Sequence, residues 1–496
     1  MRKQLLIRAP GVSPFREPVV APWGILGRVM VRMAFVLACA AASGCGGRAL
    51  RGDGGAPGDV LLAADGGDGA RDVAPTGDGG DATPDVTTKA DGGANPDVSS
   101  WDGVDRGTPV SSPEPAPPVV LTLLPPSDPL RPFQHAAEVS IAAHDGHVVV
   151  AAINIHTDGP ETLAAASLMR GVGIAVSHDF GATFAATEDP GLVAVGATET
   201  SDPVVRVTAN GTFWFSTIAV NRSFETRGLL LRSTTAGQTW DIVQSGLPLG
   251  DKEWLAVAPD GGLAMGANGG FWRFDAAGAV RASYLRDPDW PVMGAYIDER
   301  GAHFVIERAV VGWTGEQALG ALDGRVLGDT FQDWTPGWSV PIGPTGDGGT
   351  WAIYDRQHPT GQTREAVVEL RLFGPGDTAG QAFPISAPGV PAFMPAAAVD
   401  SEGRVHVVWY ESGGVEGVLK YARSVDRDLR LGFGAARVID ADACPGLGWV
   451  AEYTSGAPDR RLREYIDIAV DGRRVHAAWT HAPTLPSRIY TSHWDL

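Results

Sequence analysis

Ile466-Asp467-Ile468-Ala469-Val470-Asp471-Gly472-Arg473-Arg474-Val475-His476-Ala477-Ala478-Trp479 reads as two short apolar runs joined by an acidic residue and glycine. β-Branched residues on both sides of an Asp-Gly pair predict a hairpin, because glycine and a short polar residue tolerate the positive φ that a tight turn demands. The unit recurs. Val139-Ser140-Ile141-Ala142-Ala143 leads through Asp145-Gly146 to Val148-Val149-Val150, and Val204-Val205-Arg206-Val207 through Asn210-Gly211 to Phe213-Trp214-Phe215. Further copies are Trp254–Val257 with Asp260-Gly261, Met293–Ile297 with Arg300-Gly301, and Ala396–Val399 with Glu402-Gly403 before Val405–Trp409.

The turn glycines 146, 211, 261, 301, 403 and 472 are separated by 65, 50, 40, 102 and 69 residues. The interval of 102 holds two ordinary spacings and a weaker copy around Thr350–Tyr354 and Val367–Leu370. A period of roughly 40 to 50 residues with four short strands per unit predicts an all-β fold, a β-propeller. Seven blades are favoured and six are the alternative; an elongated solenoid would need shorter units. Pro118–Leu124 is expected to add a strand that closes the ring against the last blade.

Gly173-Ile174-Ala175-Val176 runs into Ser177-His178-Asp179-Phe180-Gly181-Ala182-Thr183-Phe184. This resembles the Asp box of sialidase-like (BNR-repeat) propellers, in which Ser and Asp satisfy a turn backbone and the aromatic residue packs on the sheet. Ser233-Thr234-Thr235-Ala236-Gly237-Gln238-Thr239-Trp240 is a second copy with Thr235 in place of Asp, and Ser424-Val425-Asp426 is a remnant without the glycine. The structural set is therefore Ser177, Asp179, Gly181, Thr183, Phe184, Ser233, Gly237, Thr239 and Trp240. Such boxes mark architecture and usually lie away from the active site.

The resemblance also implies a site at the starts of the innermost strands. Sialidases hold a carboxylate with three arginines and use a tyrosine nucleophile activated by a glutamate, with an aspartate as acid/base. Glu464-Tyr465-Ile466-Asp467 resembles the last-blade tyrosine motif, which makes Tyr465 the candidate nucleophile and Glu253 (or Glu138) its activator. The first blade departs from the family, since Ala136-Ala137-Glu138-Val139 carries an acid where the family needs arginine. Glu138, Asp202, Asp251 and Met394 start inner strands and are candidate ligand contacts around one channel mouth. The expected function is a binding module for a glycan or an envelope protein. The alternative is a sialidase-like glycoside hydrolase or lyase acting on extracellular glycans.

The chain of 496 residues carries a net charge of -19, with +5 on residues 1–45 and -8 on residues 46–117. An acidic body argues against nucleic acid, whose phosphates need clustered Lys and Arg. Arg28 and Arg32 precede the short apolar run Met33–Ala42, too short to span a bilayer, and Ala42-Ser43-Gly44-Cys45-Gly46 resembles a bacterial lipobox with Ala42 where Leu is usual. Residues 1–45 are thus expected to be an export signal with Cys45 as the lipidated residue; an ordinary cleaved signal is the other reading. Four prolines in the first 22 residues do not suit a signal, so translation is expected to begin near Met30 or Met33. Residues 46–117, built of Asp, Gly, Ala, Pro and Thr, are expected to be a disordered tether, and 118–496 the propeller. The protein is expected to be a monomer anchored to the cell envelope, with the outer membrane favoured, and in contact with membrane through its lipid alone.

No cofactor or metal is implied. His144 and His147 flank a turn but have no further ligand nearby in sequence. With Cys39 removed and Cys45 acylated, Cys444 stands alone, without a local base to activate it.

Overall fold

The computed structural model describes residues 114–496 apart from 124–132, 158–168, 188–189, 191–194, 196, 222–224, 250–252, 286–291, 307–308, 314–324, 327–338, 357–366, 376–379, 413–415, 446–464 and 484–485. Residues 1–113, with Cys45 and the expected tether up to residue 113, lie outside the described residues, as does Asp251; within the expected tether, the Ala116 amide donates to the His493 carbonyl at 2.8 Å.

Seven antiparallel sheets of four strands make a seven-bladed β-propeller. Blade 1 runs Phe133–His144, His147–Thr157, Met169–Ser177 and Ala185–Thr187 from inside out, and blade 2 Glu199–Val207, Phe213–Val220, Thr226–Ser233 and Asp241–Leu247. Blade 3 (Glu253–Val257, Leu263–Ala267, Gly270–Phe274, Val280–Leu285) and blade 4 (Val292–Asp298, Gly301–Ile306, Ala309–Trp313, Arg325–Val326) follow the same order. Blade 5 comprises Ile342–Pro344, Thr350–Arg356, Val367–Phe373 and Gln381–Pro384; blade 6 comprises Ala392–Val399, Val405–Ser412, Glu416–Arg423 and Arg437–Pro445. The seventh sheet takes Asp467–Asp471, Arg474–His481 and Arg488–Asp495 from the C-terminus and its outermost strand, Val119–Val120, from the other end of the domain.

The blades need one another because each small sheet is apolar on both faces. The core falls into seven clusters, one at each interface between successive blades. Trp214, Trp409 and Trp479 are fully buried on second strands. Each buried side chain of this size contributes about 2 to 3 kcal/mol by removal from water. Closure is made at the seventh interface. There Leu121 and Leu123 are buried with Ile141, Val150 and Ile489, and the Leu121 amide donates to the Ile489 carbonyl at 2.9 Å. Gly173 has no room for a side chain, since a Cβ would stand 2.6 Å from Cβ of Leu123.

The Ser177 hairpin holds itself in place. Ser177 Oγ donates to Asp179 Oδ1 at 2.7 Å and accepts the Gly181 amide at 2.9 Å, while Thr183 donates through both its amide and its hydroxyl to Asp179. These bonds, the Thr183 hydroxyl foremost, hold the Asp179 carboxyl down at about 2. In the second copy Thr235 accepts the Thr239 amide at 2.9 Å in the place of Asp, and Ser233 again accepts the Gly237 amide. Trp240 meets Phe215 edge-on at 5.6 Å, and Phe184 packs at the closing interface. The blade 6 hairpin is built differently: Ser424 Oγ accepts the Val405 amide at 2.9 Å, and Gly432, at φ 70, donates to the Leu429 carbonyl. Cys444 lies in a strand, opposite Gly417, fully buried, and burial pushes its thiol up to about 12.

Candidate functional site

The inner strands line a cavity of about 130 Å³ to which every blade contributes: Ser140, Val204, Trp254, Ala295, Pro341, Ala396 and Tyr465 stand in its wall, in order from blade 1 to blade 7. Inner strands converge on the axis in a ring of blades, so residues far apart in the chain meet here.

Three inner strands are distorted at one equivalent place. Pairing slips between Ala137 and Ser140, between Ser201 and Val204, and between Phe393 and Ala396. The residues leading these bulges are Glu138, Asp202 and Met394, with φ of 55, 53 and 54°. Non-glycine residues in this region cost about 1 to 3 kcal/mol and persist where the surroundings impose them. Pro203 and Pro395 fit because a bulged residue needs no ladder N–H. Tyr465 precedes Asp467 by two residues, the offset at which Glu138 precedes Ser140 and Asp202 precedes Val204. The candidates Glu138, Asp202 and Met394 are therefore structurally equivalent, and Tyr465 holds the corresponding offset before its strand.

They do not all reach the cavity. Tyr465 lines it; Glu138 and Met394 are buried, and at their blades the wall is made by Val139, Ser140, Ala396 and Ala397, the residues just after the bulge. Asp202 is half-buried and accepts from the Ser201 hydroxyl at 2.9 Å. Glu253 is fully buried at the start of its strand, on the face opposite Trp254 by the alternation of a strand. Of the candidates, Tyr465 itself stands in the cavity wall, while at blades 1, 2, 3 and 6 the wall is made by residues that follow Glu138, Asp202, Glu253 and Met394.

Two groups dominate the wall. The ring of Tyr465 meets that of Trp254 edge-on at 5.7 Å, joining blade 7 to blade 3, and the Trp254 indole donates to the Val292 carbonyl of blade 4 at 2.9 Å. The second group centres on Asp467. Its Oδ2 accepts from Ser140 Oγ at 2.7 Å, the Ile141 amide at 3.1 Å and Arg206 Nη1 at 2.9 Å, and its Oδ1 accepts the Ile468 amide at 3.0 Å. Ser140 Oγ, having donated its proton, accepts from the Val205 amide at 3.1 Å and from Arg206 Nη1 at 3.2 Å. Arg206 Nη1 also reaches the Val205 carbonyl at 2.7 Å. Blades 7, 1 and 2 are thereby tied together beside the axis. Arg206 is the arginine among the described residues lining the cavity, and one of its nitrogens is committed to this network.

Sequence reading did not single out Trp254, Asp467 or Arg206 as site residues. The signal for the last two was present, as a charge set inside an apolar inner strand: Ile466-Asp467-Ile468 and Val204-Val205-Arg206-Val207. Buried charges are costly unless paired, so each implies a partner that only the fold can supply.

No family model matches the sequence, and no curated protein matches it. Solved structures similar to the chain include a protein of unknown function from Dyadobacter fermentans, at 13% identity and TM-score 0.46, covering 78% of this chain and 100% of that one. A YCF48 structure bound to a D1 peptide aligns at 11% identity and TM-score 0.39, covering 78% and 100%. A thermostable family-43 glycoside hydrolase aligns at 11% identity and TM-score 0.33, covering 64% and 98%. Likeness at this level carries no argument about function.

Proposed function

We propose that this propeller is a glycan-binding module of the sialidase-like kind, displayed at the cell envelope on a tether lipidated at Cys45. The observation that carries the reading is the aromatic pair Trp254 and Tyr465 in the same cavity wall as the Ser140–Asp467–Arg206 network. An aromatic surface beside a few fixed donors and acceptors is the chemistry that small polar ligands require, and sugars offer both an apolar ring face and hydroxyls. Catalysis fits the geometry less well. Tyr465 is buried against Trp254, and the Arg206 guanidinium is anchored to Asp467.

The test is a glycan array followed by calorimetry on the full chain, with aryl-glycoside hydrolysis assayed in parallel. Saturable glycan binding without turnover supports the reading. Turnover that disappears in Tyr465→Phe would establish the alternative, a glycoside hydrolase. Capture of an envelope polypeptide with no glycan binding would overturn both. For the tether, Cys45→Ala should lose lipid labelling and release the protein from membranes; unchanged membrane association would refute it.

A further inference from the structure

The turns at the ends of blades 1 and 2 bring together groups that the channel does not use. His147 begins the second strand of blade 1, and His178 follows the third strand inside the Ser177 hairpin. Their Nδ1 atoms stand 2.8 Å apart, with the rings edge to face at 5.0 Å. The backbone beneath both is rigid: one is held by the sheet and the other by the bonds of Ser177 and Asp179. Beyond them, Gln238 of the blade 2 hairpin places its amide group 3.0 Å from Nε2 of His178.

We propose that His147 and His178 form a binding site for a first-row transition-metal dication of the Zn²⁺ or Cu²⁺ type, each ligating through Nδ1. Two nitrogens bound cis to one such ion, at about 2.0 to 2.1 Å each, lie about 2.9 to 3.4 Å apart. The observed pair is already near that separation and needs only small rotations of the exposed His178 ring and the half-buried His147 ring. In the metal-free state one Nδ1 carries a proton shared with the other. On binding, that proton moves to Nε2 of its own ring, so both Nδ1 lone pairs face the ion and no net proton is released. For His178 the relocated or resident Nε2–H has an acceptor in the Gln238 carboxamide oxygen, once that amide is turned. A partner on the far nitrogen is what orients ligating histidines in metal sites. Asp179 follows His178 directly and Asp145 lies two residues before His147, so acidic residues adjoin both ligands in the chain. No group of three His, Cys, Asp or Glu side chains gathers in ligating range among the described residues, so water completes the coordination shell. His144 faces His147 in the hairpin register and is the side chain nearest in sequence to becoming a third ligand.

Sequence reading missed this pair because it weighed His144 with His147 across the turn, whereas the partner comes from the neighbouring strand. The test is calorimetry of the full chain, free of any histidine tag, titrated with ZnCl₂ and with CuCl₂ at pH 7.5. One ion per chain is expected, weakened about tenfold or more by His147→Ala or His178→Ala and lost in the double variant, with Gln238→Ala giving an intermediate loss. Electron paramagnetic resonance of the Cu²⁺ form should show two nitrogen couplings, falling to one in either single variant. Circular dichroism checks the fold, and His178→Gln replaces the alanine variant if that one unfolds. Absence of binding at about 1 mM metal, a concentration far above that of a working site, overturns the proposal. So does undiminished binding in the double variant.

Discussion

Tyr465 and Trp254 meet edge to face at 5.7 Å although they belong to blades 7 and 3, which are not neighbours in the ring. The contact crosses the axis, so it closes part of the channel as well as lining it. Trp254→Ala should open the cavity and remove one aromatic surface. If the channel binds glycan, affinity should fall by about tenfold or more, the loss of a large aromatic contact. Tyr465→Phe keeps the ring and removes one hydroxyl, so affinity should change by only about 0.5 to 1.5 kcal/mol. Calorimetry on both variants separates the roles. An undiminished affinity in Trp254→Ala would move the site away from the axis.

Asp467 is the acceptor on which three blades depend. Asp467→Ala would strand the Ser140 hydroxyl, the Ile141 amide and the Arg206 guanidinium together. Removing one partner of a buried pair costs about 3 to 5 kcal/mol, most of it the penalty on what is left behind. Arg206 is partly exposed, so Arg206→Met should cost far less, about 1 kcal/mol or below. The double variant should recover part of the Asp467→Ala loss, because the stranded cation is gone. Urea unfolding reports all three, and additive losses would mean that the two side chains act independently.

The closing strand supplies a third expectation. Val119 and Val120 cover the edge of Arg488–Asp495, and Ser492 Oγ donates to the Ala116 carbonyl at 2.6 Å. Leu121→Ala and Leu123→Ala should each cost about 2 to 5 kcal/mol as core truncations. Internal deletion of residues 114–123 should also uncover a sheet edge that can pair with another molecule. Light scattering and thermal unfolding measure both effects. A deletion variant that stays monomeric and equally stable would show that closure rests on the blade 7–blade 1 core alone.

Much of the fold was legible because its signals are local. Gly146, Gly211, Gly261, Gly301, Gly403 and Gly472 all take positive φ, as turn glycines must. The weak copy proved to be blade 5, whose inner strand is only Ile342–Pro344 and whose turn glycine, Gly348, is hidden in Gly346-Asp347-Gly348-Gly349. A short strand leaves no periodicity to read. The site was legible only in part. Tyr465 was named through the resemblance of Glu464-Tyr465-Ile466-Asp467 to a last-blade tyrosine motif, but Trp254 looked like an ordinary strand aromatic. Its importance comes from a residue on the opposite side of the ring, and no local pattern encodes that.

Acid sensitivity follows from two buried histidines on second strands. His406 is fully buried, with Nε2 3.0 Å from Asp400 and Nδ1 2.8 Å from the Tyr421 hydroxyl; Arg404 and Arg423 also face it. Burial outweighs the attraction of Asp400 and brings its pKa from 6.5 to about 4. His476 falls likewise to about 4, through burial first and then the neighbouring His493, with Arg474 acting in the same sense and Asp471 and Asp495 against it. A base whose folded pKa is depressed takes up its proton more readily when unfolded. Stability is therefore complete above about pH 6.5 and falls as the pH drops toward 4. Each histidine should contribute a loss of about 2 kcal/mol by pH 5. Asp400, held below the usual carboxylate range by His406 and the turn amides against its own burial, adds a further loss at still lower pH, since its folded pKa is also depressed. Urea midpoints measured at pH 7.5, 6 and 5 should fall steadily for the native sequence. In His406→Gln and His476→Gln the absolute stability will differ, but the slope between pH 6.5 and 5 should flatten in each and most in the double variant, where His493, itself lowered by burial and then by Arg474, keeps a remainder. A native midpoint that holds constant across that interval would show that neither imidazole is kept neutral by the fold.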